Sequence, residues 1–155
     1  MRKSRGYEFD SDNCVVILKN VPVTSLDESI LLCERLVEDP RVPEEANFLI
    51  DLRRSVRLFQ FDEIYQLVAW HKSHNFPFKG RCAFLVDRPA TIGTANIFCS
   101  LLQLQAVEAE MFDDEVLAMG WLSKAPRISG AYARSSVAKG STESNELAEA
   151  ATARR

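Results

Sequence analysis

Two segments decide the fold: residues 46–54, Ala-Asn-Phe-Leu-Ile-Asp-Leu-Arg-Arg, and residues 81–89, Arg-Cys-Ala-Phe-Leu-Val-Asp-Arg-Pro. Each contains a short uninterrupted apolar run, at 48–50 and at 83–86, that ends in an aspartate. Such runs are typical of strands covered on both faces, as in a parallel sheet. Helical patterns separate them from each other and from their neighbours, which predicts strand–helix–strand units with right-handed crossovers.

Four helices are predicted from apolar residues at three- and four-residue spacing. The first begins at a capping box formed by Ser25 and Glu28 and stops before Pro40. Pro89 starts the third helix, and the acids at 113–115 start the last one, where the helix dipole favours negative charge. The residues predicted to face the core are Leu26, Ile30, Cys33 and Val37; Phe61, Ile64, Val68 and His71; Phe98, Leu101 and Leu102; and Leu117 and Trp121.

The remaining strands complete an α/β fold. Residues 7–9 and 14–18 are β-rich and flank the turn formers at 10–13, which predicts an antiparallel hairpin at the N-terminus. Residues 106–112 predict an edge strand. The predicted order is ββαβαβαβα, a mostly parallel sheet with an N-terminal antiparallel hairpin.

Length and composition place these elements in a single domain. The chain has 155 residues, of which 46% are hydrophobic and 26% are charged, as in ordinary globular proteins. No apolar run approaches the roughly 20 residues of a membrane span, and the basic start of the chain leads into an acidic stretch, unlike a secretory signal. The four cysteines form no C-x-x-C pair and lie in apolar contexts, so we expect free thiols and a cytoplasmic protein.

Charge divides the chain into two parts. Residues 1–122 contain 13 Lys/Arg and 19 Asp/Glu, whereas residues 123–155 contain 6 Lys/Arg and 3 Asp/Glu. The second part is rich in Ala, Ser, Gly and Arg and carries too little apolar surface to offset the entropy of ordering. We therefore expect a domain at 5–122 followed by a disordered basic tail at 123–155. The acidity of the domain argues against a nucleic-acid partner.

The candidate site lies where the two apolar strands end. Asp51 and Asp87 follow these strands, and the carboxyl ends of parallel strands are where open α/β sheets bind ligands. Four arginines accompany them: Arg53, Arg54, Arg57 and Arg88. The cluster suggests a surface for an anionic ligand or an acidic partner, with mutual ion pairing of the acids and arginines as the simpler interpretation.

Other motifs predict no catalytic residue, no metal and no cofactor. The chain has neither a nucleophile elbow nor a phosphate-binding loop. His71 and His74 have no third ligand at suitable spacing, so we interpret them as structural or surface residues. The isolated Gly93 indicates close packing of the backbone against a neighbouring strand.

Three phrases, at 48–54, 82–98 and 109–122, resemble the STAS-like family of bacterial proteins, also described as SpoIIAA-like or STAS/SEC14 domain-containing. This family is related to anti-sigma-factor antagonists, and the resemblance covers about residues 5–122. It implies a non-enzymatic regulatory module. In true antagonists a serine at the start of the helix after the third strand is phosphorylated. Residues 58–63 contain no serine, and the nearest one is Ser55, so the resemblance does not carry this switch over.

Two functions remain as hypotheses. In the first, the domain is a protein-interaction module that binds a protein partner or a second copy of itself. It would do so through the loop at 52–60 and the helix that starts at Phe61. In the second, implied by the SEC14-type resemblance, the fold holds a small ligand or lipid between its sheet and helices. A hydrolase or transferase ranks third, because the sequence offers no nucleophile–base pair.

Overall fold

A five-stranded sheet forms the centre of the part of the chain that the structure describes. The computed structural model describes residues 6–19, 25–55, 57–74 and 79–124. The strands are β1 (Glu8–Asp10), β2 (Val15–Leu18), β3 (Asn47–Asp51), β4 (Cys82–Leu85) and β5 (Ala109–Phe112). They lie side by side in chain order, with β1 antiparallel to β2 and all other pairs parallel. The predicted α/β class, the antiparallel hairpin and the parallel remainder are thus confirmed.

Four helices cover the two faces of the sheet unequally. They are α1 (Leu26–Glu38), α2 (Phe61–Ser73), α3 (Pro89–Gln103) and α4 (Glu115–Leu122). From β2 onward, each strand–helix–strand connection leads to the adjacent strand on the same side. Right-handed connections therefore place α1, α2 and α3 on one face of the sheet. The short α4 lies on the opposite face, over β3, β4 and β5. The described helices include none that is long and apolar enough to cross a membrane.

Each face has its own core. On the three-helix face, the buried side chains of Phe48 and Phe84 pack against Ile64, Phe98 and Leu102, and the rings of Phe84 and Phe98 are 5.4 Å apart. On the other face the strands contribute smaller residues that pack against α4: Val15, Leu49, Ala83 and Leu85 against Ala118 and Leu122. The order of the five described strands never reverses, so among them there is no strand-order switch of the kind at which many α/β proteins form a ligand crevice.

Three residues predicted to face the core are exposed instead: Val37, Phe61 and Leu117. In α4 the buried positions are Ala118 and Leu122, one residue further along than the predicted pair that included Leu117. This helix has apolar residues on every side, so apolar spacing alone does not determine which side is buried.

The start of β5 and the role of Gly93 also differ from the prediction. Ala106 has a φ of 61°, and the amide of Val107 donates to the carbonyl of Leu102 at 3.1 Å, so residues 106–108 close α3 and the strand begins at Ala109. Gly93 is exposed on α3, and a methyl group added to its Cα would meet no atom within 4 Å. Close packing occurs at Gly80 instead.

The predicted tail at 123–155 lies outside the described residues, apart from Ser123 and Lys124. The domain boundary at 122 and the disorder of the tail stay predictions.

Candidate functional site

The carboxyl edge of the sheet brings the predicted acids together. Asp51 is the last residue of β3 and lies opposite Leu85, the last residue of the neighbouring β4. Asp87 follows two residues later, so both carboxylates belong to the same edge. Each is engaged by a different part of the chain.

Asp51 is bound by the arginine two residues after it. Arg53 donates through Nε to Asp51 Oδ1 at 2.9 Å and through Nη2 to Oδ2 at 2.8 Å, and its backbone amide donates to Oδ1 at 3.0 Å. Burial opposes ionisation of this carboxyl, but the hydrogen bonds and charge of Arg53 outweigh it and hold the pKa of Asp51 below its usual value. Asp51 is therefore an ion-paired carboxylate, and this arrangement suits a structural role better than a role in proton transfer.

The same arginine links β3 to α4. Nη2 of Arg53 lies 3.4 Å from Glu115 Oε2, and Glu115 also forms an ion pair with Lys19, the residue after β2. Glu115 is the first residue of α4, so the network Lys19–Glu115–Arg53–Asp51 joins two strand ends to the beginning of a helix on the other face. Neither Lys19 nor Glu115 was predicted as part of the site. From the sequence, the acids at 113–115 are expected only to start a helix.

Arg88 fixes the loop that follows β3. Its Nη1 donates to the carbonyl of Arg53 at 2.7 Å and to Asp87 Oδ1 at 3.1 Å, and its Nη2 donates to the carbonyl of Ser55 at 3.0 Å. Asp87 also accepts a hydrogen bond from the hydroxyl of Thr91 at 3.2 Å. Arg88 therefore holds two carbonyls of the loop against the start of α3.

Arg57 is paired at the other end of this loop. Its Nη2 donates to Glu63 Oε1 at 2.6 Å, and its guanidinium lies 5.5 Å from the centre of the Phe59 ring. The other oxygen of Glu63 accepts the amide of Gln60 at 2.9 Å, which completes a capping box at the start of α2. Hydrogen bonding by Arg57 lowers the pKa of Glu63.

The four predicted arginines therefore share one edge but differ in availability. Arg53, Arg57 and Arg88 are bound to the chain's own carboxylates or carbonyls. Arg54 is exposed, and it has no hydrogen-bond or ion-pair partner within the described ranges. Most of the positive charge at this edge is therefore neutralised by ion pairs. Of the four predicted arginines, only Arg54 has a guanidinium available to a partner.

An exposed aromatic pair lies next to this network. Phe61 is 61% exposed and Tyr65 is 57% exposed, one turn apart on α2, with ring centres 6.5 Å apart. Large aromatic side chains are enriched where proteins bind one another. Phe61 was predicted as a partner-surface residue. Tyr65 was missed, although its position four residues after Phe61 was the available signal.

A second feature missed by the sequence reasoning is a thiol–imidazole contact between α1 and α2. Cys33 Sγ lies 3.3 Å from His71 Nε2. Burial raises the pKa of the Cys33 thiol to about 12 and lowers that of His71 to about 3, so both groups are neutral near pH 7. A neutral, buried thiol is a poor nucleophile. His74 is exposed at the end of α2, where its ring stacks on Trp70.

Within residues 6–19, 25–55, 57–74 and 79–124 there is no group of three or more His, Cys, Asp or Glu side chains placed to hold an ion. The predicted surface residues are instead engaged in ion pairs or exposed to solvent.

The chain matches no protein-family model, no curated protein and no solved structure. The resemblance to the STAS-like family therefore stays a prediction, and function is inferred from the geometry of the edge.

Proposed function

We propose that this chain is a non-enzymatic regulatory module that binds a protein partner, and that it belongs to the STAS-like family. The binding surface would consist of the first two turns of α2 and the described part of the loop at 52–60. The single observation that carries the proposal is the pair Phe61 and Tyr65, two large aromatic side chains that are more than half exposed on one helix face.

The loop beside this pair is held in place, which suits a binding surface. Arg53 fixes its beginning through Asp51, Arg88 holds the carbonyls at 53 and 55, and Arg57 binds Glu63 at its end. A surface that is ordered before binding loses less conformational entropy when a partner docks. Arg54 is left to contact an acidic group of that partner.

The side chains that could act as acids, bases or nucleophiles are paired or neutral, which supports the non-enzymatic part of the proposal. Asp51 is neutralised by Arg53, and Asp87 is bound by Arg88 and Thr91. The Cys33–His71 contact holds two neutral groups in an apolar setting. These groups are arranged to stabilise the fold, whereas general acid–base catalysis requires groups whose pKa lies near the working pH.

Regulation by serine phosphorylation is not part of the proposal. The helix start at 58–63 carries no serine, and the carbonyl of Ser55 is bound by Arg88. The alternative of a SEC14-like site for a small apolar ligand stays a prediction, because the described side chains between the sheet and α1–α3 pack against one another.

Affinity capture from the native cell tests the proposal when matched variants are compared. The full chain is used as bait beside a double variant, Phe61→Ser with Tyr65→Ser, and a control, Leu104→Ser. Leu104 is 83% exposed at the end of α3, so the control removes an exposed apolar side chain from another surface. We expect the same partner with the unaltered chain and the control, and its loss with the double variant. Equal recovery with all three baits contradicts the proposed surface.

A further inference from the structure

Strand β5 forms one border of the sheet, and the described residues place no strand beyond it. The carbonyl of Phe112 accepts the amide of Val86 on β4 at 2.9 Å. Alternate residues of a parallel strand turn their backbone groups towards the same neighbour, so Ala109 and Met111 turn theirs outward. Outward backbone groups of this kind are a template on which another extended chain can pair.

Little in the described chain protects this border. Natural sheets often protect a border strand with lysine or proline, and β5, which reads Ala-Glu-Met-Phe, has neither. The side chain of Gln103 on α3 donates to the carbonyl of Ala109 at 3.0 Å, which covers one outward group. Within the described ranges no hydrogen bond engages the amide or the carbonyl of Met111. Met111 is therefore the position at which a further strand can pair.

The charges around this border are negative. Residues 89–123 contain five acids and no Lys, Arg or His. Two of the acids, Glu108 and Glu115, are bound by arginines. Glu110 and Asp113 are exposed and have no hydrogen-bond or ion-pair partner among the described residues. Asp114 is exposed as well and uses one oxygen to cap α4. Three acids are thus left to attract a basic partner.

The two faces of the border differ in polarity. Met111 is partly exposed and packs against the core of the three-helix face. On the same face Ile92 is 40% exposed and lies three turns before Gln103 on one side of α3. Glu110 belongs to the opposite face, because Phe112, two residues later, packs with the α4 core. A strand paired here meets apolar surface on one face and a carboxylate on the other.

We propose that the outer side of β5 binds an extended basic segment of a partner protein, in which lysine or arginine alternates with apolar residues. The segment pairs with the backbone of Met111 and extends the sheet by one strand. Its basic side chains lie beside Glu110, and its apolar side chains lie beside Met111 and Ile92. In this mode of recognition the backbone hydrogen bonds supply affinity, and the alternating side chains supply specificity.

The same charges disfavour a second copy of the chain as the occupant. Two β5 strands paired about a two-fold axis would bring Glu110, Asp113 and Asp114 of both copies to one seam, and residues 89–123 offer no base to offset them. The inference does not rest on the proposed function, since the border shares no residue with the surface on α2.

Fluorescence anisotropy of a labelled peptide, Val-Lys-Val-Lys-Val-Lys, titrated with the full chain tests the border. We expect saturable binding that weakens as salt is raised. Glu110→Lys is expected to weaken it about tenfold or more, since it places like charges side by side. The matched control is Glu8→Lys, which reverses an exposed acid on β1 at the other border of the sheet and should leave binding unchanged.

Two further changes test the backbone pairing. Met111→Pro removes the outward amide without removing a hydrogen bond to β4, and we expect it to abolish binding. Far-UV circular dichroism checks its fold, and if this variant does not fold, Glu110→Lys decides. On the peptide, methylation of the amide nitrogens of all valines, or of all lysines, blocks pairing along one side while keeping the charge. One of these two peptides should lose binding.

The contrary results are specific. The inference is overturned if the unmodified peptide does not bind at up to about 1 mM, or if both methylated peptides bind as well as it does, which would mean attraction by charge alone. Equal weakening by Glu8→Lys and Glu110→Lys overturns it too. A dimer of the unaltered chain that Met111→Pro dissociates would assign the border to a second copy. Peptide binding that survives Phe61→Ser with Tyr65→Ser supports a border separate from the α2 surface, and its loss contradicts that separation.

Discussion

The same three-residue motif, Asp-x-Arg, occurs at opposite edges of the sheet with nearly the same geometry. Arg41 binds Asp39 through its amide at 3.1 Å, its Nε at 2.9 Å and its Nη2 at 2.5 Å. Arg53 binds Asp51 through the same three groups at 3.0, 2.9 and 2.8 Å. The first pair follows α1 at the amino edge, and the second follows β3 at the carboxyl edge.

The two pairs differ in what lies beyond the arginine. Asp39 accepts a further hydrogen bond from the hydroxyl of Tyr7 at 2.7 Å. Tyr7 comes just before β1, whose first residue pairs with Ile17 towards the carboxyl end of β2, so this bond ties the start of β1 to the end of α1. At the carboxyl edge, Arg53 continues to Glu115, and Glu115 continues to Lys19. A neutral donor completes the first pair, whereas the second belongs to a charged network beside the exposed aromatic residues.

The rest of the amino edge is closed in the same way. Arg81 is buried and donates to the carbonyls of Trp121 at 2.8 Å and Lys124 at 2.9 Å, and Asn47 donates to that of Leu122 at 2.9 Å. These bonds engage carbonyls at and just beyond the end of α4, where the helical hydrogen bonds stop. The amino edge therefore stabilises the fold, and the carboxyl edge presents a surface.

Lowering the pH is expected to reduce the free energy of unfolding more than any substitution considered below, because it acts on the buried His71. Burial lowers the pKa of His71 from its ordinary 6.5 to about 3 in the folded chain, so the unfolded chain binds more protons between these values. The free energy of unfolding should therefore fall as the pH drops below about 6.5, by up to about 1.4 kcal/mol per pH unit. Asp39 and Asp51 have lowered pKa values, so they should contribute to this loss only below about pH 4. Urea denaturation at a series of pH values measures the slope.

The variant His71→Leu isolates this contribution. It keeps an apolar side chain between α1 and α2 and removes the titrating group, so stability between about pH 4.5 and 6.5 should become nearly constant. If this variant keeps the full slope of the unaltered chain, the acid sensitivity arises elsewhere and the explanation based on His71 is wrong.

Substituting Gly80 is expected to disrupt the amino edge. A methyl group on Gly80 would lie 2.3 Å from the carbonyl oxygen of Ala46, so the backbone must shift to accept it. We expect Gly80→Ala to lower the free energy of unfolding by about 2 to 3 kcal/mol. The matched control is Gly93→Ala on α3, where nothing lies within 4 Å and alanine should stabilise the helix by about 0.5 to 1 kcal/mol. Shifts of the same sign in both variants would contradict this account.

Removing the two aspartates tests the comparison directly. Asp39→Ala removes a buried carboxylate that accepts bonds from Arg41 and Tyr7, and we expect a loss of about 2 to 3 kcal/mol. Asp51→Ala should cost only about 1 kcal/mol, because Arg53 keeps Glu115 as a partner. Urea denaturation of both variants, with Tyr7→Phe as a milder change that removes only one hydrogen bond to Asp39, measures the difference. Equal losses would show that the charged network gives Arg53 no compensation.

The sequence predicts one part of this comparison and not the other. Uninterrupted apolar runs such as 83–86 predict buried parallel strands, because a strand covered on both faces needs apolar side chains at every position. The Asp-x-Arg motif itself does not reveal which further residue binds each pair. Tyr7, which binds Asp39, lies 32 residues before it, and Glu115, which binds Arg53, lies 62 residues after it. The meaning of the motif depends on contacts that only the assembled sheet creates.

Helix orientation is predictable only where one face is polar. In α1 the apolar spacing correctly places Leu26, Ile30 and Cys33 against the core. In α4 almost every residue is apolar, so the pattern does not distinguish the buried Ala118 from the exposed Leu117. On α2 the spacing of Phe61 with Ile64 and Val68 predicts a buried Phe61, yet this side chain is 61% exposed, so its exposure and its pairing with Tyr65 become visible only in the folded chain.

The smallest effect is expected from Glu115→Gln, which separates the charged network from its hydrogen bonds. Glu115 and Lys19 are both partly exposed, so the loss should be below about 1 kcal/mol and should shrink further in about 0.5 M salt. The amide retains an oxygen that accepts from Arg53, and Asp114 still caps α4 by accepting the amide of Leu117 at 2.9 Å. Denaturation at low and high salt measures both values. A loss as large as that of Asp39→Ala, unaffected by salt, would mean that the carboxyl edge is as closed as the amino edge. The contrast between a stabilising edge and a binding edge would then have to be abandoned.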